Sequence, residues 1–534
     1  MHPISMLRLV HAALLALLTL AAPSARAAAG AGPSPTEVDQ LVARAMREFQ
    51  VPGMAVGIVK DGKLVFAKGY GVRELGKPGA VDADTVFAIG SISKSFTSAA
   101  LAILVDEGKL RWDDRVIDHL PEFRLWDPYV TREFTIRDLL THRSGLGLGA
   151  GDLMFVPASD FTRADLMHAL RYFKPVSSFR SQFAYDNSMY VIAGEVVAAA
   201  SGRSWEQFVD ERLLAPLGMA GCASASVGLA DKRDVAEPHV VVDGTLRHIQ
   251  RLEIPMVGAA GGVQCNLNGM AKWVAVQLAH GRKPDGSALF SAAQAAEMWT
   301  PQTLLRSGSH LDELTHTHLQ AYGLAWNLQD FNGYERISHN GGLPGMVTHV
   351  GMLPELGVGV IVLTNQQEGF ALTAVALPIL ESFAGAPRHD WVAEAKAIKA
   401  KRLAMIADAD AAAHAAATPL APLAPGELAA YVATYADPWR GNATIAREGA
   451  GLRLTFSHTS GMTGPLEPQS PDLFIARWDD RSMNADAYVL FKRDYGGRIT
   501  GFTMRAVSAA TDFSYDFQDL DFSRIADGPP AARH

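Results

Sequence analysis

Cysteine is nearly missing from this 534-residue chain, occurring only at Cys222 and Cys265. Two thiols cannot build a disulfide framework or a four-thiolate zinc site, and their spacing along the chain leaves open whether they pair. Basic charge is not in excess either. Forty-eight Lys and Arg stand against 56 Asp and Glu, a net charge of −8, so the electrostatic footprint of a nucleic-acid binder is lacking. Beyond the N-terminus there is no apolar run with the length of a membrane span. What is there is 48% hydrophobic residues, enough for a large core and more than one domain.

The first residues predict export. Arg8 precedes the apolar run "LVHAALLALLTLAA", and "SARAAAG" then sets Ala25 and Ala27 in a small-x-small arrangement. This pattern reads as a signal peptide over residues 1–27, the alternative being an uncleaved N-terminal anchor. No cysteine follows it to carry a lipid. The expected product is periplasmic or secreted, with no membrane span after cleavage.

Two domains follow. "TEVDQLVARAMREFQ" has helical periodicity with Thr36 as its expected cap, and "GMAVGIVKDGKLVFAKGYG" reads as two strands joined at Asp61-Gly62. A mostly helical stretch runs to about residue 300. "YGLAWNL", "YERISHNG", "MVTHVGMLP" and "GVGVIVLTN" then read as successive strands, closed by the helix "ALTAVALPILESFAG". Strands at both ends with helices between predict an α+β domain over 36–385. A charged, Ala-rich helix and the Pro-punctuated "TPLAPLAPGE" make a linker over 386–424. Over 425–534, short alternating runs, the last being "FSYDFQDLDFSRI", predict a small antiparallel β-barrel.

The chemistry rests on three strings in one order. In "AIGSISKSFT", Ser91 and Lys94 lie three apart, and one helix face brings such a hydroxyl and ammonium together. A buried lysine is costly unless it serves, and activating a serine is such a service. Tyr185 and Asn187 follow in "FAYDNSMY", and His339, Gly341 and Gly342 in "RISHNGGLPG". Arg143-Ser144-Gly145 falls too early to be the third string, and His349-Val350-Gly351 lacks the second glycine. The cluster "SHLDELTHTHLQ" reads as a solvated loop, and neither a metal nor a cofactor is expected.

With these motifs the chain resembles the serine β-lactamase and penicillin-binding-protein superfamily, over roughly residues 36–385. It is most similar to the class C-related branch, which includes esterases, carboxypeptidases and D-amino-acid peptidases. The handful of secondary landmarks includes "LLTHRSGL", and the tail resembles the lipocalin-like domain of some members. The resemblance implies a transpeptidase-like antiparallel sheet with a helical domain. It implies Ser91 as nucleophile, Lys94 and Tyr185 as its activating partners, and Asn187 orienting Lys94 and the substrate amide. The Gly342 N–H would join the Ser91 N–H as oxyanion donor, with Tyr185 drawn toward a phenolate by the Lys94 cation. His339 stands where members carry lysine, which weakens attraction for a substrate carboxylate.

The expected function is therefore an exported serine hydrolase of small-molecule or peptide esters or amides. A true β-lactamase is the alternative, and a non-catalytic penicillin- or peptidoglycan-binding protein is the alternative of another class. The tail is expected either to fold for itself or to cap the cleft, with Trp439 and Trp478 as candidate lining.

Overall fold

The structure is a computed structural model that describes residues 29–225, 234–415 and 425–525. The leader and the Pro-punctuated joint lie outside the described residues.

Helix α1 (Pro35–Phe49) starts two residues earlier than Thr36 capping requires. Ser34 is the cap: its side chain accepts from the Glu37 N–H at 3.3 Å, and the Glu37 carboxylate accepts from the Ser34 N–H at 2.7 Å. Pro35 fills the first helical position, where a missing N–H costs nothing.

The first domain is built on an eight-stranded antiparallel sheet. Its strands are β1 (Gly53–Lys60), β2 (Lys63–Gly71), β3 (Thr303–Leu305), β4 (Gln320–Tyr322), β5 (Asn327–Phe331), β6 (Tyr334–Leu343), β7 (Met346–Leu353) and β8 (Val358–Thr364). Their order is β2-β1-β8-β7-β6-β5-β4-β3, so the N-terminal hairpin joins strands more than 200 residues distant. The continuous apolar run of β8 is buried throughout, because both faces of the sheet are covered. Edge strand β2 carries Lys63 and Lys68, which discourages edge-to-edge pairing.

Two layers cover the sheet. On one face, Met54, Val56, Val360 and Val362 pack with α1 and α5 (Gly369–Ala384), joined by Trp391 of the linker helix α6 (Trp391–Ala415). On the other, Ile337, Val350 and Leu363 join the helical layer of α2 (Ser93–Asp106), α3 (Asn187–Ser201) and α4 (Leu267–Leu278). Phe96 of α2 stacks on Trp273 of α4 at 4.0 Å between ring centroids. Cys222 and Cys265 are joined as a disulfide.

The second domain is a closed barrel of eight antiparallel strands running from Ala433–Asp437 to Asp521–Arg524. Closure leaves no exposed edge. Trp478 is buried within it, its indole donating to the Ala485 carbonyl at 2.7 Å, and Trp439 packs edge-on to Phe173 at 5.1 Å. Most of "FSYDFQDLDFSRI" departs from the expected strand: only Asp521–Arg524 pairs, and the residues before it leave the barrel wall.

Candidate active site

Ser91 sits in a single 3-10 turn (Gly90–Ile92) that feeds directly into α2. Gly90 has φ +52°, and a Cβ there would lie 2.5 Å from the Gly342 nitrogen. A Cβ at Gly341 would lie 1.8 Å from the Ile89 carbonyl oxygen. Gly90 and Gly341 thus let the end of β6 close onto the serine turn, and the Thr348 hydroxyl donates to the same Ile89 carbonyl at 2.9 Å. The second and third sequence motifs reach Ser91 by this contact and through Lys94.

Lys94 is fully buried. Its Nζ lies 3.0 Å from Ser91 Oγ, 2.6 Å from Asn187 Oδ1 and 2.9 Å from the Ala260 carbonyl oxygen. Burial pulls the ammonium down to about 7, against the pull of the Asp152 and Asp186 carboxyls. The Ala260 carbonyl is presented by a wide helical turn (Gly258–Gly262), whose Ala259 carbonyl also accepts from the Thr97 hydroxyl at 2.6 Å.

Tyr185 lies under this cation, with Nζ 4.8 Å from its ring centre. Burial pushes its phenol well above the ordinary tyrosine range, outweighing the hydrogen bond with Ser91. Lys94, at about 7, is therefore the group near deprotonation, and the phenolate expected for Tyr185 is disfavoured by desolvation. His142, from "LLTHRSGL", stacks beside Tyr185 at 4.2 Å and accepts the Asp186 N–H on Nδ1 at 3.0 Å. Asp186 caps α3, placing Asn187 at its first turn.

Asn187 is held from both ends. Its Oδ1 accepts from Lys94, and its Nδ2 donates to Asp152 Oδ2 at 2.8 Å. The amide orientation follows from Lys94, whose ammonium only donates; burial pushes the Asp152 carboxyl well above the usual carboxylate range. The Ser514 hydroxyl donates to the same Asp152 oxygen at 2.8 Å. Asp516 accepts from the Gly151 and Leu153 N–H groups at 2.7 and 2.9 Å, securing the turn that carries Asp152. Phe513 meets Tyr185 edge-on at 5.9 Å. The second domain thus reaches the site through Phe513, Ser514 and Asp516, while Trp439 and Trp478 stay with their packing partners. Sequence reasoning missed Asp152, Ser514 and Asp516; no local pattern marks them, because they meet only in space.

His339 is 3% exposed on β6. Its Nε2 is 3.0 Å from the Tyr322 hydroxyl and its Nδ1 2.6 Å from the Asn340 carbonyl oxygen. Burial and the nearby Lys94 push it down to about 3, so the ring is neutral through the physiological range. Of the two decoys, Arg143 donates to Asp138 at 3.0 Å, and His349 lies on the opposite face of the sheet, 2.6 Å from Asn340 Oδ1. In "SHLDELTHTHLQ", Asp312 caps its own short helix and His310 pairs with Glu394 at 3.2 Å.

A helix-borne serine over a covered antiparallel sheet, with a buried lysine against its hydroxyl, defines a serine hydrolase of the β-lactamase-related kind. The chain belongs to the beta-lactamase family, whose sequence profile matches residues 38–380. Residues 417–524 match a domain of unknown function, DUF3471. An unguisins hydrolase of Aspergillus campestris is 30% identical over 373 residues, 66% of each chain. Penicillin-binding protein 4 of Amycolatopsis lactamdurans is 30% identical over 60% of this chain and 82% of its own. Among solved structures, the octameric penicillin-binding protein homologue from Pyrococcus abyssi superposes with a TM-score of 0.58 at 20% identity, covering 92% of this chain and 100% of that one.

Proposed function

We propose that the protein is an exported hydrolase that cleaves esters or amides through an acyl-enzyme on Ser91. The observation that carries this reading is the Lys94 Nζ, fully buried, 3.0 Å from Ser91 Oγ and near deprotonation at neutral pH. Neutral Lys94 takes the hydroxyl proton as Ser91 Oγ attacks the substrate carbonyl. The Ser91 and Gly342 N–H groups receive the developing oxyanion, aided by the N-terminus of α2. Tyr185, protonated in the resting enzyme, passes its proton to the leaving oxygen or nitrogen as it takes one from the Lys94 ammonium, so that no free phenolate forms. Water then attacks the acyl carbonyl by the reverse route and frees Ser91.

The substrate class follows from His339. A neutral, enclosed imidazole supplies no cation for a substrate carboxylate, which favours esters and amides without a free C-terminal carboxylate over β-lactams. Gly341 then serves by its missing side chain rather than by a contact of its own. The relative named as an unguisins hydrolase supports hydrolysis over mere binding. The Cys222–Cys265 disulfide supports an oxidising compartment, periplasmic or extracellular.

The test is covalent labelling with a fluorophosphonate, followed by mass spectrometry of the labelled peptide. The label should sit on Ser91 and be absent from Ser91→Ala, which should also lose turnover of an activated ester with its melting temperature unchanged. An unlabelled wild-type protein would favour the binding-protein reading.

A further inference from the structure

A cavity of about 360 Å³ opens on the far side of the sheet from Ser91. Its volume is at the lower end of ordinary ligand pockets, about 300–1,000 Å³. Strands β4–β7 form its floor, Leu372 and Leu377 of α5 one wall, and Arg306 its rim. We propose that this cavity is a binding site for a small organic anion, separate from the hydrolytic centre, with Arg336 as its principal ligand.

The face itself makes the case. Where β1 and β8 meet α1 and α5, this side of the sheet presents valine, isoleucine and methionine. Toward β4 the pattern changes. Gln320, Gln329 and Arg336 stand directly opposite one another on three successive strands, forming a polar row on a helix-covered face. Further along β6, Asn340 is paired in register with His349 of β7. The row is half-buried, but two of the polar atoms on this face, Arg336 Nε and His349 Nε2, are buried without a partner, which costs stability in a face that serves packing alone.

Arg336 has neither a hydrogen bond nor an ion pair among the described residues, and its Nε is buried without a partner. Its one ring contact is with Phe331, 5.6 Å from the guanidinium carbon. Burial pulls the guanidinium down to about 10, and no carboxylate acts against that pull. The single acidic residue in the lining, Asp312, is already engaged: it accepts from the Gly308 and Ser309 N–H groups at 3.0 and 2.9 Å and from Gln320 Nε2 at 2.6 Å. A second cation, Arg306, is exposed at the rim and makes no ion pair among the described residues.

Asn340 completes the donor set. His349 Nδ1 donates to Asn340 Oδ1 at 2.6 Å, which leaves the Asn340 amide N–H groups for a ligand. Two guanidinium groups and an amide donor, beside a leucine-lined wall, suit a carboxylate or phosphate ester with a short apolar body.

The test is calorimetric titration of the full chain with succinate and with glycerol 2-phosphate, the two sources of such an anion. At least one should bind wild type and Ser91→Ala alike, and Arg336→Gln should weaken that binding by about tenfold or more. Arg306→Gln, at the solvent rim, should weaken it as well and keeps the test open should Arg336→Gln fail to fold. No heat from either anion up to about 10 mM would overturn the proposal, as would undiminished binding by either variant.

Discussion

Ser514, in the second domain, donates its hydroxyl to Asp152 of the first at 2.8 Å, across 362 positions of sequence. Asp152 in turn holds Asn187, and Asn187 holds Lys94. The two domains therefore share one hydrogen-bonded chain that ends at the lysine beside Ser91, and its links can be tested separately.

Ser514→Ala removes the hydroxyl and leaves a buried Asp152 oxygen with one donor fewer. The loss of one buried hydrogen bond is worth about 1 kcal/mol, so kcat for a small ester should fall by roughly fivefold with KM little changed. Ser514→Thr keeps the hydroxyl and should restore the rate. Equal kcat in wild type and Ser514→Ala would show that Asn187 and Lys94 need no support from the barrel.

Phe513, 39% exposed, stands edge-on to Tyr185, and a Cβ on Gly149 would lie 2.5 Å from its carbonyl oxygen. This places an aromatic wall from the second domain at the mouth of the site. Phe513→Ala should raise kcat/KM for bulky acyl esters relative to acetyl esters by about tenfold, within the range for reshaping one pocket wall. Measured over a graded ester series, a constant ratio would remove Phe513 from substrate selection.

The pH profile follows from Lys94. Its folded-state value, about 7, is lowered by burial, and the neutral amine is the form that accepts the serine proton. Activity on a neutral ester should therefore rise with pH through a limb near 7 and fall away below it. His339, at about 3, adds no limb between pH 5 and 9. Asp186, pushed up to about 7 by burial, falls in the same window, so Asp186→Asn should keep the limb; a limb that vanishes in that variant would take the base from Lys94.

His339→Lys restores the residue type that the family resemblance leads one to expect, but not a usable cation. The ring lies enclosed between the Tyr322 hydroxyl and the Asn340 carbonyl, so the ammonium would enter a dry site beside Lys94. The substitution should cost about 3 kcal/mol or more of stability, from desolvation and like-charge repulsion, without improving hydrolysis of carboxylate-bearing substrates. Urea denaturation and a paired assay of neutral and acidic esters measure both effects. Gained preference for the acidic ester at unchanged stability would place position 339 in the open cleft.

Local chemistry decided what the sequence alone could determine. The alternation of the strands, the Asp61-Gly62 hairpin and the S-x-x-K spacing all act within a few residues, so periodicity and turn propensity reveal them. Ser91 and Lys94 were legible because one turn of chain separates them; Tyr185, Asn187 and His339 were legible because the family resemblance supplied their order. Even locally, competing caps misled: Thr36 is a sound cap by composition, yet the reciprocal bonds of Ser34 and Glu37 prevail.

Tertiary structure decided the rest. The sheet order, the Cys222–Cys265 bond and the enclosure of His339 depend on contacts between distant segments. So do the proton affinities: a lysine and a tyrosine carry ordinary values in sequence, and only burial lowers the one and raises the other. "FSYDFQDLDFSRI" is the sharpest case. Its alternation suits a strand, but Ser514 and Asp516 find buried partners in Asp152 and the turn beside it, and those hydrogen bonds draw the segment out of the barrel wall. A hydrogen bond between residues 362 apart leaves no trace in the local pattern of either.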